Sequence, residues 1–341
     1  MDIKKRKNDH LNLSLKKASQ SAVSSLFEDV LLVPKTLPEL NLSDINLNTE
    51  FLGRRISAPV IISSMTGGSE RGKTLNRRLL AAAENENVPF ALGSLKPVLK
   101  DQAMKETYLP KRDVSVPVFG NIGIDFLLEE VTAAELLQPV IEELKLAGLF
   151  VHLNIVQELI QQEGTQDFKG AIKAIRKLVD KMDVPVLVKE VGFGIDPATA
   201  AALGDCGVQA LDVAGAGGTN FAAVEAARQN TTTPFDSWGI PTALNLLMLK
   251  DKIKSPLIGS GGIADGLDAV KAIVLGADLV GVAKSILVAA DQNTDGADIF
   301  LHNFCLTIKQ TMLALGAEDL PALREIQPIF KNTLYTALQQ I

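Results

Sequence analysis

The chain has 341 residues, 47% of them hydrophobic and 22% charged, so material for a large folded core is ample. Its 34 Lys and Arg stand against 40 Asp and Glu, a formal charge of −6. That balance excludes a general electrostatic attraction to nucleic acid. Cys206 and Cys305 stand far apart and outside any CxxC or CxnH spacing. They argue against a disulfide framework or a zinc site, and suit a reducing cytoplasm. The N-terminus MDIKKRKNDHLNLSLKK is basic but lacks the apolar stretch of a secretory signal, and the longest apolar runs are too short to span a membrane.

Residues 1–55 read as a polar arm that carries a basic cluster, Lys4, Lys5, Arg6 and Lys7, and includes FEDVLLVP, an extended approach to the barrel. Short apolar runs then follow in order. They are Pro59–Ser64, Pro89–Gly93, Pro117–Asn121, Leu149–Asn154, Pro185–Glu190, Val208–Val213, Pro256–Ser260 and Asp278–Val282. Runs this short, with few polar residues, fit strands buried on both faces. Several open on Pro, which a first strand residue tolerates. Between them lie stretches of helical period: Lys73–Asn87, Ala133–Ala147, Phe168–Met182, Pro197–Cys206 and Leu267–Gly276. Eight β-then-α steps predict a single (β/α)8 TIM barrel with an N-terminal extension, residues 1–341 forming one domain. An open doubly wound sheet is the alternative. Gly296–Ile341 is expected to be largely helical, with breaks near Pro321 and Pro328.

In such a barrel the active residues sit at the strand C-termini and in the loops just after them. The first three strands run into SSMTGG (Ser63–Gly68), GSLK (Gly93–Lys96) and GNIG (Gly120–Gly123). These could bring backbone N–H groups close to a flat ligand, or be ordinary turns. The seventh and eighth lead through GSGGIADG (Gly259–Gly266) and GVAKS (Gly281–Ser285) into helices. Glycine loops at helix N-termini in these two positions predict a phosphate site. VAGAGGTNF (Val213–Phe221) offers another cradle, but its spacing is not that of a dinucleotide fingerprint. Strand four ends in HLNIVQE, where alternation turns His152 and Asn154 to one face and leaves Gln157 and Glu158 on the following loop. Lys189 and Glu190 end strand five. The lysine could form a Schiff base, donate to a cofactor, or snorkel at the rim. The RKNDH group, Arg6 to His10, is either a solvated charge run or a clamp for an anionic substrate.

Taken together, RKNDH, SSMTGG, ALGS, GNIG, HLNxxQE, PVLVKEVGFG, GGTNF, WGIPT, SGGI and LGAD with VGVAKS resemble the type 2 isopentenyl-diphosphate Δ-isomerases over nearly the whole chain. The resemblance implies bound FMN, active when reduced, commonly by NADPH; Mg2+ dependence; and interconversion of isopentenyl and dimethylallyl diphosphate. It implies that Met65, Thr66, Gly67, Ser94, Asn121, Lys189 and Thr219 contact FMN, with Gly261, Gly262, Ile263, Ala283 and Lys284 around its phosphate. Arg6, Lys7, His10, Ser94, Lys96, His152, Asn154 and Gln157 are implied for the substrate, Gln157 also for a proton relay, and Glu158 for Mg2+. A homo-oligomer, tetramer or octamer, is expected, with neither nucleic acid nor membrane as partner. The chain departs from the family pattern at Ala214, usually Ser, at Ala216, often Arg, and at Lys96, commonly Arg; the last weakens bidentate phosphate recognition. The competing reading is an FMN oxidoreductase on the same barrel. A 2-hydroxy-acid oxidase would need a His, typically with an Arg, in the late strands; an IMP dehydrogenase-like enzyme would need a loop Cys.

Overall fold

The computed structural model describes residues 3–16, 19–109 and 113–340, with side chains from Lys7 onward. Twelve strands occur among them. They are β1 (Val30–Leu31), β2 (Thr49–Phe51), β3 (Arg54–Ile56), β4 (Val60–Ile62), β5 (Phe90–Ala91), β6 (Val118–Gly123), β7 (Gly148–His152), β8 (Val186–Lys189), β9 (Leu211–Asp212), β10 (Leu257–Gly259), β11 (Leu279–Val282) and β12 (Ile329–Phe330). Strands β4 to β11 close into a parallel eight-stranded barrel, each pairing with the next and β11 returning to β4. The open-sheet alternative is thereby excluded.

Each barrel strand falls within or beside its expected run, and β6, β8 and β11 are buried along their whole length. Two bounds differ from expectation. GNIG is not a loop: β6 continues through it to Gly123, paired in register with β7. The sixth strand contracts to Leu211–Asp212, because the chain turns at Ala214 into the glycine-rich loop. The five expected helices form as Glu70–Glu86, Ala133–Glu143, Ala171–Lys181, Pro197–Asp205 and Gly266–Val274.

Two hydrophobic layers hold the barrel. Inside it, Ile61, Phe119, Phe150, Leu187, Ile258 and Leu279 form one cluster. Side chains of this size, fully buried, contribute about 1.5–3 kcal/mol each. Phe51 and Ile56, from the hairpin β2–β3, join this cluster, and Phe51 meets Phe119 with ring centroids 6.0 Å apart. The hairpin therefore stoppers the N-terminal end and leaves the other end as the mouth. A larger cluster fills the space between strands and helices.

The arm is not merely an extended approach. Ile3–Ser14 is a helix lying against the helix Phe221–Arg228, and Val30–Leu31 pairs antiparallel with Ile329–Phe330 near the other terminus. Pro321 does not break a helix. It sits in the first turn of Leu320–Arg324, where its missing N–H costs nothing, while Pro328 precedes β12. No helix among the described residues is long and apolar enough to cross a membrane.

Candidate active site

The barrel mouth contains two adjoining cavities. The larger, about 360 Å3, is lined by the ends of all eight barrel strands or the loops after them, and by Lys7, His10 and Gln20 of the arm. That volume falls within the roughly 300–1,000 Å3 common for small-molecule sites. The smaller, about 120 Å3, is bounded by Lys96, Asp125, Glu129, Asn154, Glu158 and Glu163. Lys7, His10, Ser94, His152 and Gln157 line both, so the two adjoin across a shared polar partition.

Every residue expected around the flavin lines the larger cavity: Met65, Thr66, Gly67, Ser94, Asn121, Lys189, Thr219, Gly261, Gly262, Ile263, Ala283 and Lys284. Of the residues expected around the substrate and metal, Lys7, His10, His152 and Gln157 lie on the partition, and Lys96, Asn154 and Glu158 on the smaller cavity. The Arg6 side chain lies outside the described residues.

On the side of β10 and β11 the wall is backbone. Among the described residues no hydrogen bond takes the N–H groups of Gly261, Gly262 or Ile263. The two helices that follow differ, which corrects one expectation. The Asp265 side chain accepts from the N–H groups of Leu267 and Asp268, so the N-terminus of Gly266–Val274 already holds an anion. The helix Lys284–Gln292 has no side-chain cap, and Ala283, Lys284 and Ser285 at its start face the cavity. Anion binding thus falls to the glycine loop and to this second helix. The buried hydroxyls of Ser63 and Ser64, both lining the cavity, also lack a partner among the described residues. Free N–H groups, an open helix N-terminus and orphaned hydroxyls suit a phosphorylated mononucleotide such as FMN.

Part of the glycine signal has a different cause. A Cβ on Gly217 would come within 2.3 Å of Ser25, and one on Gly261 within 2.2 Å of the Gly215 carbonyl. These glycines let loops pack against one another and against the arm. Gln20 donates to the Gly217 carbonyl at 2.6 Å, and Lys284 donates to the Lys16 carbonyl at 3.0 Å.

On the side of β7 and β8 the wall is charged side chains. Gln157 and Glu158 are not on a loop: they belong to the short helix Ile155–Ile160 that opens directly after Asn154. Asn154 donates to Glu158 Oε1 at 2.7 Å, and the Thr165 N–H to Oε2 at 3.1 Å. Burial pushes the Glu158 carboxyl up, with Asp125 acting in the same direction. The Asn154 oxygen is buried and unpartnered. Lys96 reaches Asp125 at 2.7 Å. His152 Nδ1 lies 2.8 Å from the Asn121 amide oxygen. Burial lowers its pKa to about 3; Asp125 opposes this, and Lys189, Lys7 and Lys96 reinforce it. The ring is neutral at pH 7.

Lys189 is buried, not at the rim, and its ammonium donates to the Glu190 carbonyl. The Glu190 carboxylate accepts from the N–H groups of Val191, Gly192 and Phe193, and burial raises it to about 7.

Sequence reasoning missed Glu225. It is completely buried on the helix Phe221–Arg228, with Oε1 2.7 Å from His10 Nε2 and accepting from Gln157 at 3.2 Å. Arg228 binds its other oxygen at 2.7 Å. One carboxylate thus ties the arm to the partition. The available signal was a lone acid in the small apolar run FAAVEAAR. Asp125 was missed because its part depends on Lys96 and His152, distant in sequence.

Among the described residues no group of three or more His, Cys, Asp or Glu side chains could hold a metal by itself. A lone Glu158 carboxylate would suit Mg2+ only together with oxygens of a bound ligand, because Mg2+ keeps waters and takes one or two carboxylates plus phosphate oxygens.

Comparison with known proteins gives first the class. The family model of FMN-dependent dehydrogenases matches residues 13–111 and 127–327. Solved structures of similar fold include a flavocytochrome b2 variant with pyruvate bound, at TM-score 0.69 and 16% identity over 96% of this chain and 84% of that one. A mandelate oxidase variant with (S)-mandelic acid has TM-score 0.63 and 17% identity, covering 95% of each chain. At these identities the likeness is one of fold. Closer in sequence is the isopentenyl-diphosphate delta-isomerase of Rickettsia bellii, 37% identical over 335 residues, 96% of this chain and 97% of the relative. That of Methanothermobacter thermautotrophicus is 38% identical over 328 residues, covering 95% and 92%. The chain belongs to the isopentenyl-diphosphate delta-isomerase family.

Proposed function

We propose that the chain interconverts isopentenyl and dimethylallyl diphosphate by 1,3-proton migration, as a cytoplasmic FMN protein reduced by a donor such as NADPH and assisted by Mg2+. The observation that carries this reading is the pair of adjoining cavities with their shared wall. A flat anionic cofactor suits the larger one, and a charged head group with a cation suits the smaller. Their shared partition is where the hydrocarbon end of such a substrate would meet the cofactor.

Glu158 would hold Mg2+ against the diphosphate, with Asn154 and Thr165 fixing the carboxylate. Lys7, and Arg6 if it reaches the same space, would neutralise the remaining phosphate charge. Lys96 is committed to Asp125, so its role toward phosphate is weaker than that of an unpaired cation. His10 and Gln157, both held by Glu225, would close the partition over the substrate. Closure by the arm excludes water, which a carbocation-like transition state requires. Bound reduced FMN would supply the acid/base that an unactivated alkene needs. Gln157 could then orient a proton, since among the described residues no hydrogen bond engages its amide oxygen.

The oxidoreductase reading is disfavoured by the histidines. His10 and His152 line the cavities, while His302 lies on an outer helix against Glu86, so none comes from the late strands. Cys206 is buried against the Ile172 carbonyl, away from the cavities. The test is an anaerobic assay with FMN, Mg2+, NADPH and isopentenyl diphosphate. Dimethylallyl diphosphate is expected, with activity lost when FMN or Mg2+ is left out. A flavin-loaded protein that oxidises 2-hydroxy acids and leaves isopentenyl diphosphate untouched would overturn the reading.

A further inference from the structure

One buried carboxylate stands behind the wall of the larger cavity without lining it. Asp212 ends β9 and is 2% exposed. Its Oδ1 accepts from the Ser260 hydroxyl at 2.6 Å and from the Ala214 N–H at 3.2 Å. Across the sheet its register partner is Lys189, the last residue of β8. Lys189, Ala214 and Ser260 all line the cavity, and they come from three successive strand ends. Three groups of the wall therefore converge on one residue hidden behind it.

Two features need this carboxylate. Lys189 is 8% exposed and, among the described residues, its ammonium bonds only to a neutral carbonyl, so it requires a counter-charge nearby. Two acids feel the lysine charge, Glu190 and Asp212; the Glu190 carboxylate is already held by three backbone N–H groups, whereas Asp212 joins the Lys189 charge to Ala214 and Ser260. Burial pushes the Asp212 carboxyl up while Lys189 pulls it down. Ala214, in turn, holds a φ of +35°, a conformation an L side chain adopts only when its surroundings impose it. Its own N–H bond to Asp212 is one of those constraints.

We propose that Asp212 is a positioning residue of the cofactor site, holding Ala214 and Ser260 in place and serving as the counter-charge of Lys189. This rests on the reading of the larger cavity as an FMN site. With Asp212 present, the Lys189–Asp212 pair is neutral overall, and Lys189 offers a bound flavin a donor rather than a full positive charge. Without the carboxylate charge, the wall becomes positive and favours reduced flavin, the more anionic form.

Asp212→Asn keeps an acceptor oxygen and removes the charge. Wild type and variant, each loaded with FMN, are titrated anaerobically against dyes of known potential. The ratio of reduced to oxidised FMN affinity is expected to rise about tenfold, or about 30 mV for the two-electron couple. An Asp212→Asn protein holding FMN at the wild-type potential overturns the proposal and leaves the cofactor reading intact. Wild type with no saturable FMN binding overturns both. If Asp212→Asn does not fold, the pair is read without flavin, by melting the apoproteins of Lys189→Gln and of Lys189→Gln/Asp212→Asn. The double variant is expected to melt higher, because the second change removes a stranded buried carboxylate. A double variant that melts no higher overturns the proposal.

Discussion

The two sides of the barrel mouth recognise charge by opposite means. Beside β10 and β11 the wall is backbone: open N–H groups of Gly261, Gly262 and Ile263, and an uncapped helix start at Lys284. Beside β7 and β8 it is side chains: Lys96, His152, Glu158 and Lys189, each fixed by named partners. A backbone site is sensitive to shape and indifferent to protonation. A side-chain site tolerates small changes of shape but depends on every charge. The first suits a cofactor that stays, and the second a substrate and cation that come and go.

The largest expected effect tests the backbone side. Gly261 has φ +99°, and a Cβ there would sit 2.2 Å from the Gly215 carbonyl. Gly261→Ala should displace the loop and weaken FMN binding by on the order of 100-fold, since losing one or two charge-assisted N–H bonds to phosphate costs about 1.5–3 kcal/mol each. Fluorescence quenching of FMN measures it. A wild-type affinity would mean that the phosphate lies elsewhere.

The corresponding change across the mouth is Glu158→Gln. It should lower Mg2+-dependent turnover by about 100-fold, the upper range for disturbing a metal's surroundings, and leave FMN affinity within about twofold. Excess Mg2+ should restore part of the rate. If FMN affinity falls in parallel, the two sides are not independent.

Protonation sharpens the contrast further. The His152 pKa, about 3 in the fold against 6.5 in the unfolded chain, means that the folded state binds fewer protons between those values. Its stabilising contribution is complete above pH 6.5 and is lost as pH falls toward 3. Glu190 runs the other way. Raised to about 7, its contribution is complete below about pH 4.5 and fades as pH rises. Replacing His152 by Gln should therefore reduce the acid loss between pH 6.5 and 5 by up to about 2 kcal/mol. Denaturant melts at both values measure this, and carbon chemical shifts of the wild-type ring should not titrate from pH 8 to 5.

The smallest effect separates the two helices after β10 and β11. Asp265→Ala removes a cap worth about 1 kcal/mol of stability. FMN affinity should stay the same, because that helix end is not offered to the ligand. A large change in affinity would return the helix to the phosphate site.

The barrel itself was legible in the sequence, because buried parallel strands are short apolar runs and all eight occur in order. The positions of the small and polar residues that line the cavities were legible for the same reason: in this fold, sequence position after a strand is position at the mouth. Capping of Gly266–Val274 by Asp265 is a local pattern, legible in the Asp two residues before Leu267.

What the chain determined by itself was alternation, the sites of the loops and the residue types within reach of a ligand, all consequences of local period and turn chemistry. What only the tertiary structure decided was pairing across long separations. The lone Glu225 in an alanine-rich helix meets His10 and Gln157, and Asp212 stands behind Lys189 and Ser260. Phe51 of the polar arm, with Ile56 just after it, becomes the stopper of the barrel interior. Arm residues that read as a solvated charge run become a wall of both cavities. A charge buried by folding must find its partner in space, and nothing in its own stretch of sequence says which one.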